Sequence, residues 1–166
     1  MKIDSAFLDT ETLIRAAESE DEVGTVLRMH LVLDNILDAF LREKITEAMR
    51  PYIKIPKYFG QKIPLVTAFG MPIPFVRALR VVNTIRNELA HNTKVLSMDH
   101  LSKLAQQVNL LSEIDPSVKP LNKRYIELPV ARPGERITYG CGDLRLDFVI
   151  AAMAIIHAMV PWLAKQ

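Results

Sequence analysis

Ala78-Leu79-Arg80-Val81-Val82-Asn83-Thr84-Ile85-Arg86-Asn87-Glu88-Leu89-Ala90-His91-Asn92 is the stretch on which the fold turns. Phe75, Ala78, Leu79, Val82, Ile85 and Leu89 recur at steps of three and four, so a helix stacks them into one apolar stripe that must face a core. At about 100° per residue, Arg80, Asn83, Asn87 and His91 form a neighbouring polar strip, with Arg86 between strip and stripe. Part of this pattern also suits a plain helix ending, in which His91 and Asn92 complement the carbonyl end of the dipole and Asn92 takes a left-handed cap conformation.

Outward from this stretch the chain reads as further helices. Thr10 to Ser19 forms a short helix capped by Asp9 or Thr10, with Leu13, Ile14 and Ala17 on one side. Val23 to Met49 keeps a helical period through Val26, Leu27, Leu31, Ile36, Leu37, Phe40, Leu41 and Ile45, and Pro51 ends it. Prolines at 51, 56, 64, 72 and 74 leave room between them for one short helix, started near Gly60 or Gln61 with Pro64 in its first turn. Lys54, Lys57 and Lys62 read as a solvated cluster that could also serve a phosphate backbone. Met98 to Ile114 is another amphipathic helix, capped by Asp99 or Ser97.

Tyr125 to Val130 faces Arg136 to Tyr139 across a segment containing Pro133-Gly134, which predicts a β-hairpin. Gly140-Cys141-Gly142 then turns into a last helix with Asp143 as its cap. Its apolar run, Phe148 to Leu163, is shorter than a bilayer span of about 20 residues, has Arg145 and Asp147 at its entry and reads as a buried helix. The fold class is therefore all-α: one domain over residues 1–166, a five- or six-helix up-and-down bundle with a small β-hairpin inserted before the last helix.

Composition excludes several function classes. Twenty-one basic against 19 acidic residues give a net charge of +2, too little for a strong nucleic-acid footprint over the whole surface. The one cysteine, Cys141, forms no internal disulfide, and Met1-Lys2-Ile3-Asp4-Ser5 lacks the layout of a signal peptide, so a cytoplasmic chain with no membrane partner is expected. No zinc-ligand spacing or Gly-rich phosphate loop is present, and neither a metal nor a cofactor is expected. Asp34 and Asp38, four apart on one helix face, read as solvated acids or as a pair for a divalent ion. His30 and His100 read as surface residues or helix-end partners, His157 as a satisfied core histidine.

Imidazole and guanidinium remain, and they suffice for attack of an RNA ribose 2′-OH on its own phosphate. His91 would move the proton, since an imidazole titrates near working pH, and Arg86 would neutralise the five-coordinate phosphorus. Asn87, Asn83 and Arg80 would hold the sugar-phosphate chain along the strip. One imidazole cannot take and give a proton at once; a two-fold dimer would supply a second.

The sequence Arg86-Asn87-Glu88-Leu89-Ala90-His91 resembles the Arg, polar residue, four-to-six spacer, His motif of the HEPN domains, a helical superfamily with many metal-independent ribonucleases of toxin and defence systems. Phe59-Gly60-Gln61-Lys62-Ile63 and Ala68-Phe69-Gly70 resemble the segment that precedes this motif in the mannitol operon repressor family. The resemblance covers roughly residues 25 to 93. It implies a HEPN-type bundle, a homodimer with its site at the two-fold interface, and Arg86, Asn87 and His91 in the ribonuclease roles, with RNA as substrate and a protein antitoxin as a further partner. The mannitol operon repressors imply instead a non-catalytic transcription regulator; since no DNA-reading helix-turn-helix is recognisable, it would act through protein partners. A third reading is an inactive descendant retained for assembly.

Overall fold

The computed structural model describes residues 13, 17–19, 21–91 and 95–166. They hold five helices: α1 (Glu22–Lys44), α2 (Phe59–Ala68), α3 (Ile73–Ala90), α4 (Met98–Asn109) and α5 (Leu144–Ala164). A two-stranded antiparallel hairpin, β1 (Tyr125–Leu128) and β2 (Arg132–Thr138), precedes α5. The helices α1, α3, α4 and α5 contact one another in a closed ring, and α2 packs across the seam between α1 and α3. This is the expected helical bundle with a hairpin insertion. Of the predicted Thr10 to Ser19 helix, Leu13 and Ala17 are described, and both are buried in the core; its caps Asp9 and Thr10 lie outside the described residues.

The core stripe of α3 is as the period predicts, with Phe75, Ala78, Leu79, Val82, Ile85 and Leu89 all buried. Pro72 caps this helix and Pro74 stands in its first turn, where a missing N–H leaves no bond unmade. In α4, Ser97 rather than Asp99 is the cap: its Oγ accepts the His100 N–H at 3.3 Å. Asp143 caps α5 as expected, accepting the Leu146 N–H at 3.1 Å. The predicted turn at Cys141 is present, flanked by Gly140 and Gly142 at φ 87° and 90°.

Four expectations are corrected. The long first helix stops at Lys44, short of Met49, and its inner stripe runs Val26, Met29, His30, Leu33, Ile36, Leu37 and Phe40, leaving Leu27 and Leu31 at 36% and 57% exposure. The short helix starts at Phe59, so Pro64 falls in its second turn instead of its first. The hairpin turns at Pro129 to Ala131, and Pro133-Gly134 lies in β2, within a bulge where the partner of Leu128 jumps from the expected Glu135 to Arg132. The carboxylate of Glu18 fixes that turn by accepting the N–H of Val130 at 2.8 Å and of Ala131 at 3.3 Å. His157, expected in the core, is exposed on the outer side of α5.

The helix α5 is long and apolar enough to cross a membrane, but it is built into the bundle, with Phe148, Ala151, Ala152, Ile155, Ile156 and Met159 at 0% exposure. Its apolar surface is covered by α1 and α4, which is the physical role of a helix that is hydrophobic all round in a core.

Candidate functional site

Where α2 crosses the α1–α3 seam it leaves a cleft of about 580 Å³. Leu27, His30, Leu31 and Asp34 of α1 form one wall, Asn83, Arg86 and Asn87 of α3 the other, and Lys57 to Gln61 at the start of α2 the end. The exposed Leu27 and Leu31 thus belong to the cleft, which they share with the polar Asp34, Asn83, Arg86 and Asn87.

A buried ion cluster stands beside it. Lys62, placed on a solvated surface by the sequence reading, is 2% exposed, and its Nζ lies 2.7 Å from an oxygen of each of Asp34 and Asp38. The ammonium therefore stands between the two carboxylates, where the ion-site reading of that pair would need a divalent cation. Burial by itself depresses an ammonium pKa, but the hydrogen bonds and charges of Asp34 and Asp38 outweigh it and hold Lys62 above its usual value. Since Lys62 belongs to α2 and both acids to α1, the cluster fastens one end wall to one side wall.

On the α3 wall, Arg86 is half-buried. Its Nη1 donates to Asn87 Oδ1 at 3.0 Å, and its buried Nε has no hydrogen-bond partner among the described residues. Asn83 points its Oδ1 at His30 Nε2, 3.4 Å away, while its Nδ2 is 3.4 Å from where a Cβ would stand on Gly60. His30 is 9% exposed and tilts against Phe59 with ring centroids 4.2 Å apart. The reading of His30 as a surface residue is corrected: it is an inner residue of α1 with one side on the cleft. Burial pushes its pKa below the usual 6.5, the Asn83 bond raises it, and Arg86 adds to the lowering.

The five predicted site residues are therefore divided. Asn83, Arg86 and Asn87 line one cleft. His91 is exposed just past the end of α3, as the cap, where its N–H donates to the Asn87 carbonyl at 3.2 Å. The helix-ending reading is right about that position; Asn92 lies outside the described residues. Arg80 opens on the opposite flank, in a smaller groove of about 190 Å³ between α3 and α4 with Glu88 and Lys103. His100 also lies there, buried rather than on the surface, its Nε2 3.0 Å from Glu88 Oε2. The strip straddles the helix crest because Asn83 and Arg80 are about 60° apart around the axis, enough to put them on different slopes.

His30 is the residue that sequence reasoning missed, and a signal for it exists. Val26, His30, Leu33, Leu37 and Phe40 follow steps of four, three, four and three, which is the core stripe itself. Among the described residues no group of three His, Cys, Asp or Glu side chains could hold a metal ion. Compared with known proteins, the chain matches no family model, no curated protein and no solved structure.

Proposed function

We propose that the chain is a metal-independent endoribonuclease of HEPN type, cleaving RNA through attack of a ribose 2′-OH on the adjacent phosphate. The observation that carries this reading is the Arg86–Asn87 pair on the open polar cleft: a guanidinium held by an amide, at the motif position that resembles the HEPN ribonucleases. Arg86 neutralises the charge that builds on phosphorus. Asn83 and Asn87 bind phosphate and sugar oxygens, and Lys57 adds positive charge at the mouth. His91, exposed at the end of α3, is free to meet substrate or a second copy of the chain and exchanges protons there. A homodimer, a cytoplasmic toxin or defence setting and a neutralising protein partner go with this reading.

RNA cleavage with EDTA present tests it. Arg86→Ala and His91→Ala should each lose at least about 100-fold in turnover, the lower end for loss of a proton-transfer or charge-stabilising group, with the fold intact. Equal cleavage by both variants and the wild type would remove the proposal.

One observation favours a second reading, a non-catalytic regulator resembling the mannitol operon repressors: His91 stands outside the cleft that contains Arg86. Here the cleft would bind a partner protein, and no RNA would be cut by any form of the chain.

A further inference from the structure

His30 brings a second imidazole into the cleft. It comes from α1, whereas the motif lies wholly on α3, and it shares the cleft with Arg86, Asn83 and Asn87. Its Nε2 lies 3.4 Å from Asn83 Oδ1, an oxygen that accepts, so this contact favours the tautomer with the hydrogen on Nε2.

We propose that His30 is the proton acceptor of this cleft, acting beside Arg86 on an RNA phosphodiester seated between α1 and α3. The proposal rests on the ribonuclease reading above and removes one of its difficulties, since acceptor and donor become two different histidines. The 2′-OH proton passes to the unprotonated ring nitrogen of His30, and the electron pair of that oxygen forms the new bond to phosphorus. The bond from phosphorus to the 5′ oxygen breaks, its electron pair leaving with that oxygen, which takes a proton from His91 or from water. The products are a 2′,3′-cyclic phosphate and a 5′-hydroxyl, and His30 returns its proton to solvent.

The surroundings suit an acceptor better than a donor. Burial opposes the charged form of the imidazole and the Asn83 bond favours it; of the charged groups around it, Arg86 from α3 and Lys62 from α2 oppose a positive charge, while Asp34 on its own helix favours one. Lys57, also on the cleft, is a further cation. A phosphate arriving at Arg86 changes that balance by adding negative charge, which makes proton uptake by His30 easier just when substrate is bound.

RNA cleavage in EDTA from pH 5 to pH 8 should show His30→Gln slower by about 100-fold and lacking the acidic limb of the wild-type profile. In parallel, NMR titration of the His30 imidazole should show its pKa rise when inorganic phosphate is added to the wild type and stay put in Arg86→Gln, a readout that needs no turnover and no His30 variant. Wild-type rate and profile in His30→Gln, or an imidazole indifferent to phosphate, would overturn the role of His30 while leaving ribonuclease activity in place. A wild type that cuts no RNA would overturn both.

Discussion

At the scale of single residues, burial has changed what a histidine does to stability. His30 has a folded pKa below its unfolded 6.5, so between those two values the unfolded chain binds more protons than the folded one. Stability from this residue is therefore full above pH 6.5 and is lost as pH falls through the folded value. Urea unfolding at pH 7 and pH 5 should show a smaller acid loss in His30→Gln than in the wild type; an equal loss would mean that other groups control the acid limb. Asp143→Ala should cost about 1 kcal/mol by leaving the Leu146 N–H at the start of α5 without its acceptor, as measured by the same unfolding. Residue identity alone told much of this: Asp143 stands between the Gly140-Cys141-Gly142 turn and the last helix, a position where few roles other than capping fit. His30 was less legible because its two i±4 neighbours pull in opposite directions, Val26 towards the core and Asp34 towards solvent. Only the step pattern over five positions shows that it lies on the inner side.

At the scale of elements, the decisive contact is the one that locks α2 to α1. Lys62→Met removes the ammonium and leaves Asp34 and Asp38 facing each other across a partly closed space. The expected loss is about 3 kcal/mol, at the low end for a broken buried pair because the acids remain 20% and 30% exposed. Chemical denaturation measures it, and a cost under about 0.5 kcal/mol, the range of ordinary surface changes, would show that the cluster is no tether. The pair at 34 and 38 was visible as two acids on one face, but their partner was not, since a lysine in a proline-punctuated segment carries no sign of burial. The elements themselves were legible where apolar spacing repeats over three turns or more, as in α3, or where one apolar run is too long for a strand, as in α5. They were misread where a distant group decides: the hairpin turn is held by Glu18, more than a hundred residues earlier, and no local pattern announces that Pro133-Gly134 becomes the bulge.

At the scale of the whole molecule, a net charge of +2 says little about local binding, because Arg86, Lys57 and His30 gather on one cleft beside the buried Lys62 ammonium. The placement of three side chains makes a sharper statement about assembly. His30 and Arg86 share the cleft of one chain, whereas His91 is exposed beyond it. In a dimer whose active site is completed across the two-fold axis, His91 of one copy can serve the cleft of the other, but His30 cannot be lent separately from the α1 wall it belongs to. Mixing Arg86→Ala with His91→Ala should then restore part of the cleavage, since a mixed dimer contains one intact cleft and one intact His91 on opposite chains. Mixing Arg86→Ala with His30→Gln should restore none, because each chain carries a damaged cleft. Recovery in both mixtures would mean that His30 and Arg86 act in separate clefts, and recovery in neither, with mixed dimers shown to form, would mean that His91 acts only within its own chain.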